Sequence, residues 1–216
     1  MSFLTKHKFF LLPFILWLLI GSIVLSLIQK GDLVLWFNDN RFIFGNFYFT
    51  VASAFAEWQF ILFFLFIVAY EKIGNLFILA LTWAFTGIVA QSLKRLFDMP
   101  RPAGFYKDLD VNLNFINDDR LYYANSFPSG HTTTAFALFF IMAIFTKNKY
   151  MQFLFFIFAL STAFSRVYLL QHFFMDVYFG SILGVLLAYL IYNVINKTEL
   201  FGFQNWRNKK LGKAFF

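Results

Sequence analysis

Six long apolar stretches, separated by polar segments, make up most of the chain. They cover residues 9–28, 50–70, 73–95, 130–146, 150–168 and 175–196. A helix needs about 20 apolar residues to cross the hydrocarbon core of a bilayer, and most of these stretches approach that length. The pattern therefore predicts an all-α integral membrane protein built as a six-helix bundle.

The polar segments differ in length, and this predicts the connections. Asp98 to Phe127 is rich in acidic residues and asparagines, and Pro100 and Pro102 cannot continue the preceding helix. We expect this segment to be a loop outside the membrane. The segments at Glu71–Lys72 and Lys147–Lys149 are short, which is typical of antiparallel neighbouring helices.

Lysine and arginine are distributed unevenly between the two predicted faces. Ten lie on the side that contains both termini and eight on the other, where Lys94, Arg101 and Arg166 belong to polar clusters discussed below. Positive charge favours the cytoplasmic side. We therefore expect both termini in the cytoplasm, in an inner (plasma) membrane, with the opposite face towards the periplasm or outside.

Composition excludes several classes of protein. With 60% hydrophobic and 13% charged residues, the chain is too apolar to be a soluble domain. The net charge of +7 is dispersed between the spans and gathered in the C-terminal tail, which favours contact with anionic lipid over nucleic acid. Because the chain has no cysteine, thiol nucleophiles, disulfides and thiolate metal sites are excluded.

Three polar clusters lie at the ends of predicted helices. In chain order they are Lys94 with Arg101 and Pro102, the tetrapeptide Pro128-Ser129-Gly130-His131, and Ser165-Arg166 followed by His172 and Asp176. Successive helices of a bundle alternate in direction. All three clusters are therefore expected on one face of the membrane.

The cations of these clusters are suited to phosphate. A guanidinium group binds phosphate oxygens in a bidentate manner and an ammonium group adds a point charge. Taken singly, Lys94, Arg101 or Arg166 is explained by a long side chain that extends to the membrane interface. The three together indicate a phosphate site.

The tetrapeptide predicts a helix start that binds an anion. Ser129 is a favoured N-cap, Gly130 permits close approach of a ligand, and free amide groups follow. A plain capped helix start would explain the same residues. His131 in the first turn favours a functional role.

His172 and Asp176 are four residues apart and would share one face of a helix. A carboxylate on one imidazole nitrogen fixes the tautomer and leaves the other nitrogen as a nucleophile or base. An isolated pair of this kind is more often structural. Beside three cations and His131, it indicates a site in which one histidine attacks and the other protonates the leaving group.

Glu57 is an acid inside the second apolar stretch. It could line the site, or it could lie near the outer interface, and the second is the simpler interpretation.

At these residues the chain resembles the type 2 phosphatidic acid phosphatase family, over about residues 50–196, with all three signature motifs complete. The resemblance implies a helical core and a phosphohistidine mechanism without metal or cofactor. It implies that His172 attacks phosphorus, Asp176 orients it and His131 protonates the leaving oxygen. It assigns the phosphate oxygens to Lys94, Arg101, Ser129, Gly130 and Arg166.

The resemblance also divides the chain. Residues 1–49 would form an N-terminal transmembrane helix and outer loop, 50–196 the phosphatase core, and 197–216 a basic cytoplasmic tail. The soluble haloperoxidases of the same family are disfavoured by the six spans. Oligomeric state is not indicated.

Four functions remain open. The first is a lipid-phosphate phosphatase or pyrophosphatase with an undecaprenyl pyrophosphate-like substrate. The second is the same chemistry on lipid A 1-phosphate or phosphatidylglycerophosphate. The third is a phosphotransferase that uses a lipid acceptor instead of water. The last is a membrane protein that binds phospholipid without catalysis.

Overall fold

The computed structural model describes residues 3–116 and 121–197, and of Tyr70, Glu71 and Lys197 only the backbone. The predicted basic tail, apart from its first residue, lies outside these ranges. So do Asp118, Asp119 and Arg120 of the predicted outer loop. The predictions for these segments stay predictions.

All regular structure in the described ranges is helical. The helices are α1 (Phe3–Lys6), α2 (Lys8–Leu27), α3 (Asp32–Asp39), α4 (Ile43–Ala54), α5 (Trp58–Glu71), α6 (Ile73–Phe97), α7 (Pro102–Phe105), α8 (Gly130–Phe145), α9 (Lys149–Tyr168) and α10 (Phe174–Lys197). The predicted all-α class is confirmed.

Four of these helices, α2, α6, α9 and α10, are long and apolar enough to cross a membrane, and α4 with α5 can form a fifth, bent span. The predicted span over residues 130–146 corresponds to α8, which has only 16 residues. At 1.5 Å per residue it is about 24 Å long, shorter than a hydrocarbon core of about 30 Å. Every residue of α8 from Thr132 to Ile144 is buried, so protein surrounds it. The chain is a multi-pass membrane protein with α8 at its centre.

The second span differs from its prediction as one helix over 50–70. It begins at Ile43, so the predicted boundary between residues 49 and 50 falls inside α4, and it bends by 57° between α4 and α5. Thr162 of α9 donates a 2.9 Å hydrogen bond to the carbonyl of Ala52, which a continuous helix would have paired with Ala56. The last turn of α4 is thus bound to α9, and the chain turns away at Phe55–Glu57.

Two glycines let α10 pack closely against α8. A Cβ atom at Gly184 would lie 2.4 Å from the carbonyl oxygen of Thr133, and one at Gly180 would lie 3.0 Å from that of Ser129. This four-residue spacing of small residues is typical of close helix pairs in membranes. It places the beginning of α8 beside the beginning of α10, where two of the polar clusters lie.

The opposite end of the bundle contains the N-terminus and the α8–α9 turn. Gln152 donates hydrogen bonds to the carbonyls of Lys6 at 3.0 Å and Thr146 at 3.2 Å. The predicted short turns are confirmed, since α6 begins two residues after the end of α5 and α9 begins four residues after the end of α8.

The outer loop is attached to the segment between α3 and α4. Asn38 donates to the carbonyl of Asn112 at 3.1 Å and accepts from the amide of Asn114 at 2.8 Å. Arg41 also donates to the carbonyl of Asn114. These contacts hold the described part of the loop over the end of the bundle that carries the polar clusters.

Candidate active site

The structure brings the three clusters together at one end of the bundle. The amide of Ser129 donates to the carbonyl of Asp176 at 3.0 Å, which joins the second cluster to the third. A Cβ atom at Gly130 would lie 3.5 Å from Nζ of Lys94, so the absence of a side chain there leaves the ammonium group close to the start of α8. The three clusters therefore lie at the same end of the bundle, as expected from the alternating direction of the helices.

The contact between His172 and Asp176 is formed in a buried setting. Nδ1 of His172 lies 3.3 Å from Oδ2 of Asp176, and each side chain is 1% exposed. The amide of Phe173 donates to the same carboxylate oxygen at 3.0 Å. With Nδ1 engaged, Nε2 is the nitrogen of His172 available for chemistry.

His172 does not lie on the helix that carries Asp176, contrary to the spacing argument. It belongs to the loop before α10, which begins at Phe174. The amides of Gln171 and His172 both donate to the carbonyl of Arg166, at 2.9 and 3.1 Å, so the loop folds back on the end of α9. The four-residue spacing predicted the right contact through the wrong local structure.

Ser126 is a site residue that the sequence patterns did not identify. It is fully buried, donates to Oδ2 of Asp176 at 2.5 Å, and lies 3.3 Å from Nδ1 of His172. Its amide donates to the carbonyl of Met99 at 2.8 Å, just before the first cluster's Arg101. The only sequence signal is its position two residues before Pro128, in a segment read as loop.

Ser129 occupies the predicted N-cap position of α8, but its side chain makes no capping hydrogen bond to the helix backbone. Its hydroxyl oxygen instead accepts from the hydroxyl of Thr132 at 3.0 Å. A hydroxyl that accepts in this way still has its own proton to donate. Ser129 can therefore offer a hydrogen bond to a ligand oxygen beside the first amides of α8.

Arg101 is held by the segment that follows the outer loop. Its Nε donates to the carbonyl of Ala124 at 3.1 Å, and its guanidinium carbon lies 4.9 Å from the ring centre of Tyr122. Nη1 is 3.5 Å from both the carbonyl and the side-chain oxygen of Gln171. The side chain is 8% exposed, so these contacts fix the direction of a largely buried cation.

Arg166 is as buried as Arg101, and only part of its guanidinium group makes hydrogen bonds. Its Nη1 donates to the hydroxyl of Ser53 on α4. Its Nε is buried and has no hydrogen-bond partner among the residues that the structure describes. A buried guanidinium nitrogen without a partner is costly unless an anion binds it, which agrees with the predicted role in phosphate binding.

Two cavities meet at His131. One, here called the α4 cavity, has a volume of about 180 Å³ and includes Thr50, Ser53, Glu57, Tyr122, His131, Arg166 and Gln171 in its wall. The other, the α6 cavity, has a volume of about 200 Å³ and includes Ala56, Gly87, Ala90, Gln91, Lys94, Gly130 and His131. Glu57 thus lines the α4 cavity, together with His131 and Arg166.

Burial and the surrounding cations act together on His172. Removal from solvent lowers the pKa of its imidazole well below the usual value, and the positive charges of Arg101, Lys94 and Arg166 lower the pKa further. At neutral pH the ring is therefore uncharged.

Within the described ranges, no group of three or more His, Asp or Glu side chains is arranged to hold a metal ion.

Solved structures similar to this fold include two membrane proteins of bacteria. LpxE from Aquifex aeolicus gives a TM-score of 0.67 at 22% identity, over 76% of this chain and 94% of that chain. A transmembrane PAP2-type phosphatidylglycerolphosphate phosphatase from Bacillus subtilis gives 0.63 at 21% identity, over 88% of this chain and 98% of that chain. At these identities the similarity establishes the fold.

No curated protein sequence matches the chain. The sequence profile of the PAP2 superfamily does match it, over residues 75–199. That range includes every residue of the three clusters and more than half of the chain. The protein belongs to the PAP2 superfamily.

Proposed function

We propose that the protein is a metal-independent phosphatase of lipid phosphates that works through a phosphohistidine at His172. The observation that carries the proposal is the buried set formed by Ser126, His172 and Asp176, which engages Nδ1 and leaves Nε2 free. An uncharged imidazole with a fixed tautomer is a nucleophile at neutral pH. The positive charges of Arg101, Lys94 and Arg166 act on this ring.

The reaction has two steps. Nε2 of His172 donates its lone pair to phosphorus, the bond from phosphorus to the leaving oxygen breaks, and His131 gives that oxygen a proton. Water then attacks the phosphohistidine, the nitrogen–phosphorus bond breaks, and His131 takes a proton from the water. The products are inorganic phosphate and the dephosphorylated lipid, with both histidines restored.

The phosphate oxygens would be held by groups from all three clusters. Lys94, Arg101 and Arg166 supply positive charge, and the unpaired Nε of Arg166 supports a direct contact. Ser129 offers its hydroxyl proton, and Gly130 allows the amides of α8 to approach the ligand. Groups preorganised in this way stabilise charge that increases in the transition state.

The substrate would be a lipid because the site lies at the ends of membrane-spanning helices. The lysine and arginine distribution supports an outer, periplasmic location in the inner membrane. The candidate substrates are undecaprenyl pyrophosphate, lipid A 1-phosphate and phosphatidylglycerophosphate. The name of the Bacillus subtilis phosphatase supports this class of substrate.

The test is phosphate release by the purified protein in detergent from these three lipids, with and without a lipid acceptor. We expect release from at least one of them without an acceptor, and none from His172→Ala protein that elutes as a folded species. Phosphate that appears only on the lipid acceptor would make the protein a phosphotransferase. Wild-type release by His172→Ala would remove the mechanism.

A further inference from the structure

The α4 cavity contains more hydrogen-bonding groups than a phosphate requires. In addition to His131 and Arg166, its wall includes the hydroxyl groups of Ser53 and Tyr122 and the carboxylate of Glu57. Phosphate oxygens need donors and positive charge, whereas a carboxylate only accepts hydrogen bonds and repels phosphate. Glu57 therefore requires a different part of the ligand.

The backbone directs Glu57 to this cavity. Glu57 lies at the bend between α4 and α5, where it is the N-cap residue of α5 with an extended backbone, and its side chain makes no capping hydrogen bond. Glu57 and Arg166 both line this cavity. The Glu57 carboxylate accepts no hydrogen bond from any side chain in the described part of the protein, so its oxygens can receive donors from a ligand.

On the basis of the proposed function, we propose that the α4 cavity binds free hydroxyl groups of the leaving group, with Glu57 as their acceptor. His131, the proposed donor to the leaving oxygen, lies in the walls of both the α4 cavity and the α6 cavity. Of these two cavities, the α4 cavity contains the carboxylate, and we therefore place the hydroxyl-bearing atoms of the leaving group there. The preferred substrate is then a phosphate ester of a glycerol or sugar that keeps free hydroxyls. Tyr122 and Ser53 supply further hydrogen bonds to such a group.

The carboxylate of Glu57 distinguishes this class of substrate from other lipid phosphates by its negative charge and by its need for a hydrogen-bond donor. The leaving group of a prenyl pyrophosphate is itself a phosphate, whose negative charge would meet Glu57. The leaving group of phosphatidic acid has acyl esters in place of free hydroxyls and gives Glu57 no donor. Phosphatidylglycerophosphate presents one free hydroxyl, on the carbon next to the one that carries the leaving oxygen. A sugar phosphate whose neighbouring hydroxyls are not acylated presents the same group.

The experiment compares kcat/KM for three probes in one detergent: dioctanoyl phosphatidylglycerophosphate, dioctanoyl phosphatidic acid and farnesyl pyrophosphate. We expect wild type to prefer the first. Glu57→Gln keeps the shape of the side chain and removes its charge. It should lower kcat/KM for the first probe by about tenfold, because a hydrogen bond to a carboxylate is stronger than one to a neutral amide oxygen. It should leave kcat/KM for phosphatidic acid nearly unchanged and raise kcat/KM for farnesyl pyrophosphate.

Two further variants make the result specific. Asp110→Asn removes an exposed negative charge from the outer loop, away from the cavity wall, and should change none of the three rates. Tyr122→Phe keeps the ring over Arg101, loses only a hydroxyl from an exposed side chain, and should lower the first rate alone. If Glu57→Gln changes all three rates by the same factor, or none, the inference is wrong. If wild type hydrolyses none of the three probes but releases phosphate from lipid A 1-phosphate, the inference is wrong. If it releases phosphate from none of these four lipids, the proposed function itself fails.

Discussion

The hydroxyl of Ser126 lies 2.5 Å from Oδ2 of Asp176, closer than the 3.3 Å that separates the same oxygen from Nδ1 of His172. The carboxylate that orients the histidine is thus itself held by a buried serine. The serine's amide is bonded to Met99, so the first cluster is linked to the same network. The hydrogen bonds around Asp176 and Ser126 therefore link His172, the proposed nucleophile, to all three clusters.

Ser126→Ala should therefore lower kcat with little change in KM, because it releases Asp176 and leaves the groups proposed to bind phosphate in place. We expect a loss of about tenfold, the order of one hydrogen bond to a charged group. The measurement is steady-state kinetics on the best lipid substrate. The matched control is Ser181→Ala, which removes another buried serine, the acceptor of a 2.9 Å hydrogen bond from Trp17. It should lower thermal stability and keep kcat, and an equal loss of kcat in both variants would contradict a positioning role for Ser126.

The pH dependence of activity should reflect the lowered pKa of His172. The unfolded-state value is about 6.5. Because the folded value is lower, the uncharged nucleophile persists below that pH. This group's contribution to stability is complete above about pH 6.5 and is lost as the pH falls from there through the folded pKa. The measurements are kcat/KM and the thermal unfolding midpoint between pH 8 and pH 5.

Arg101 offers a variant for this test, because its charge contributes to the lowering of the His172 pKa. Arg101→Met should move the acidic limb of kcat/KM towards higher pH, in addition to weakening phosphate binding. Arg95→Met, which removes an exposed cation at the end of α6, should leave the limb in place. If the acidic limb of the pH profile of kcat/KM lies at the same pH in wild type and in Arg101→Met, that limb does not reflect the protonation of His172.

Chelation should not affect the rate if cations of the protein, rather than a metal ion, hold the phosphate. We expect EDTA to change phosphate release by less than about twofold, a difference below 1 kcal/mol in the barrier. Vanadate should inhibit competitively, because it resembles phosphate in charge and shape. Loss of activity in EDTA that magnesium restores would overturn the metal-independent mechanism.

The proposed outer location of the site can be tested by thiol labelling, since the chain has no cysteine. Asp108→Cys lies in the outer loop, and Lys147→Cys lies in the α8–α9 turn at the opposite end of the bundle. An impermeant thiol reagent should label the first variant in intact cells and the second only after lysis. The reverse pattern would place the site in the cytoplasm.

Sequence reasoning predicted the spans and the clusters well because both depend on strong signals. Long apolar stretches define membrane helices, and the alternation of helix direction was enough to bring Lys94, His131 and His172 to one end. The bend at Phe55–Glu57 was not predicted, since residues 50–70 are almost uniformly apolar. No local pattern encodes the hydrogen bond from Thr162 to the carbonyl of Ala52 at the end of α4. Glu57, a lone acid in that stretch, was the one local sign.

Ser126 shows a second kind of feature that could not be predicted from the sequence. Its role depends on contacts with residues 46 and 50 positions away along the chain, which no local pattern encodes. The same holds for His172, whose contact with Asp176 was anticipated from helical spacing but is made by a loop that folds back on Arg166. The type and spacing of residues predicted a chemistry, while tertiary contacts determined the geometry.

The most direct test of the account is to identify the residue that becomes phosphorylated. Protein incubated with a radiolabelled lipid phosphate and quenched in alkali should retain label on the peptide that contains His172, and the label should be lost in acid, as expected for a phosphohistidine. His172→Ala should retain none, while Ser181→Ala should label as wild type does. Label on another residue, or turnover by wild type without any labelled protein under single-turnover conditions, would contradict the proposed mechanism.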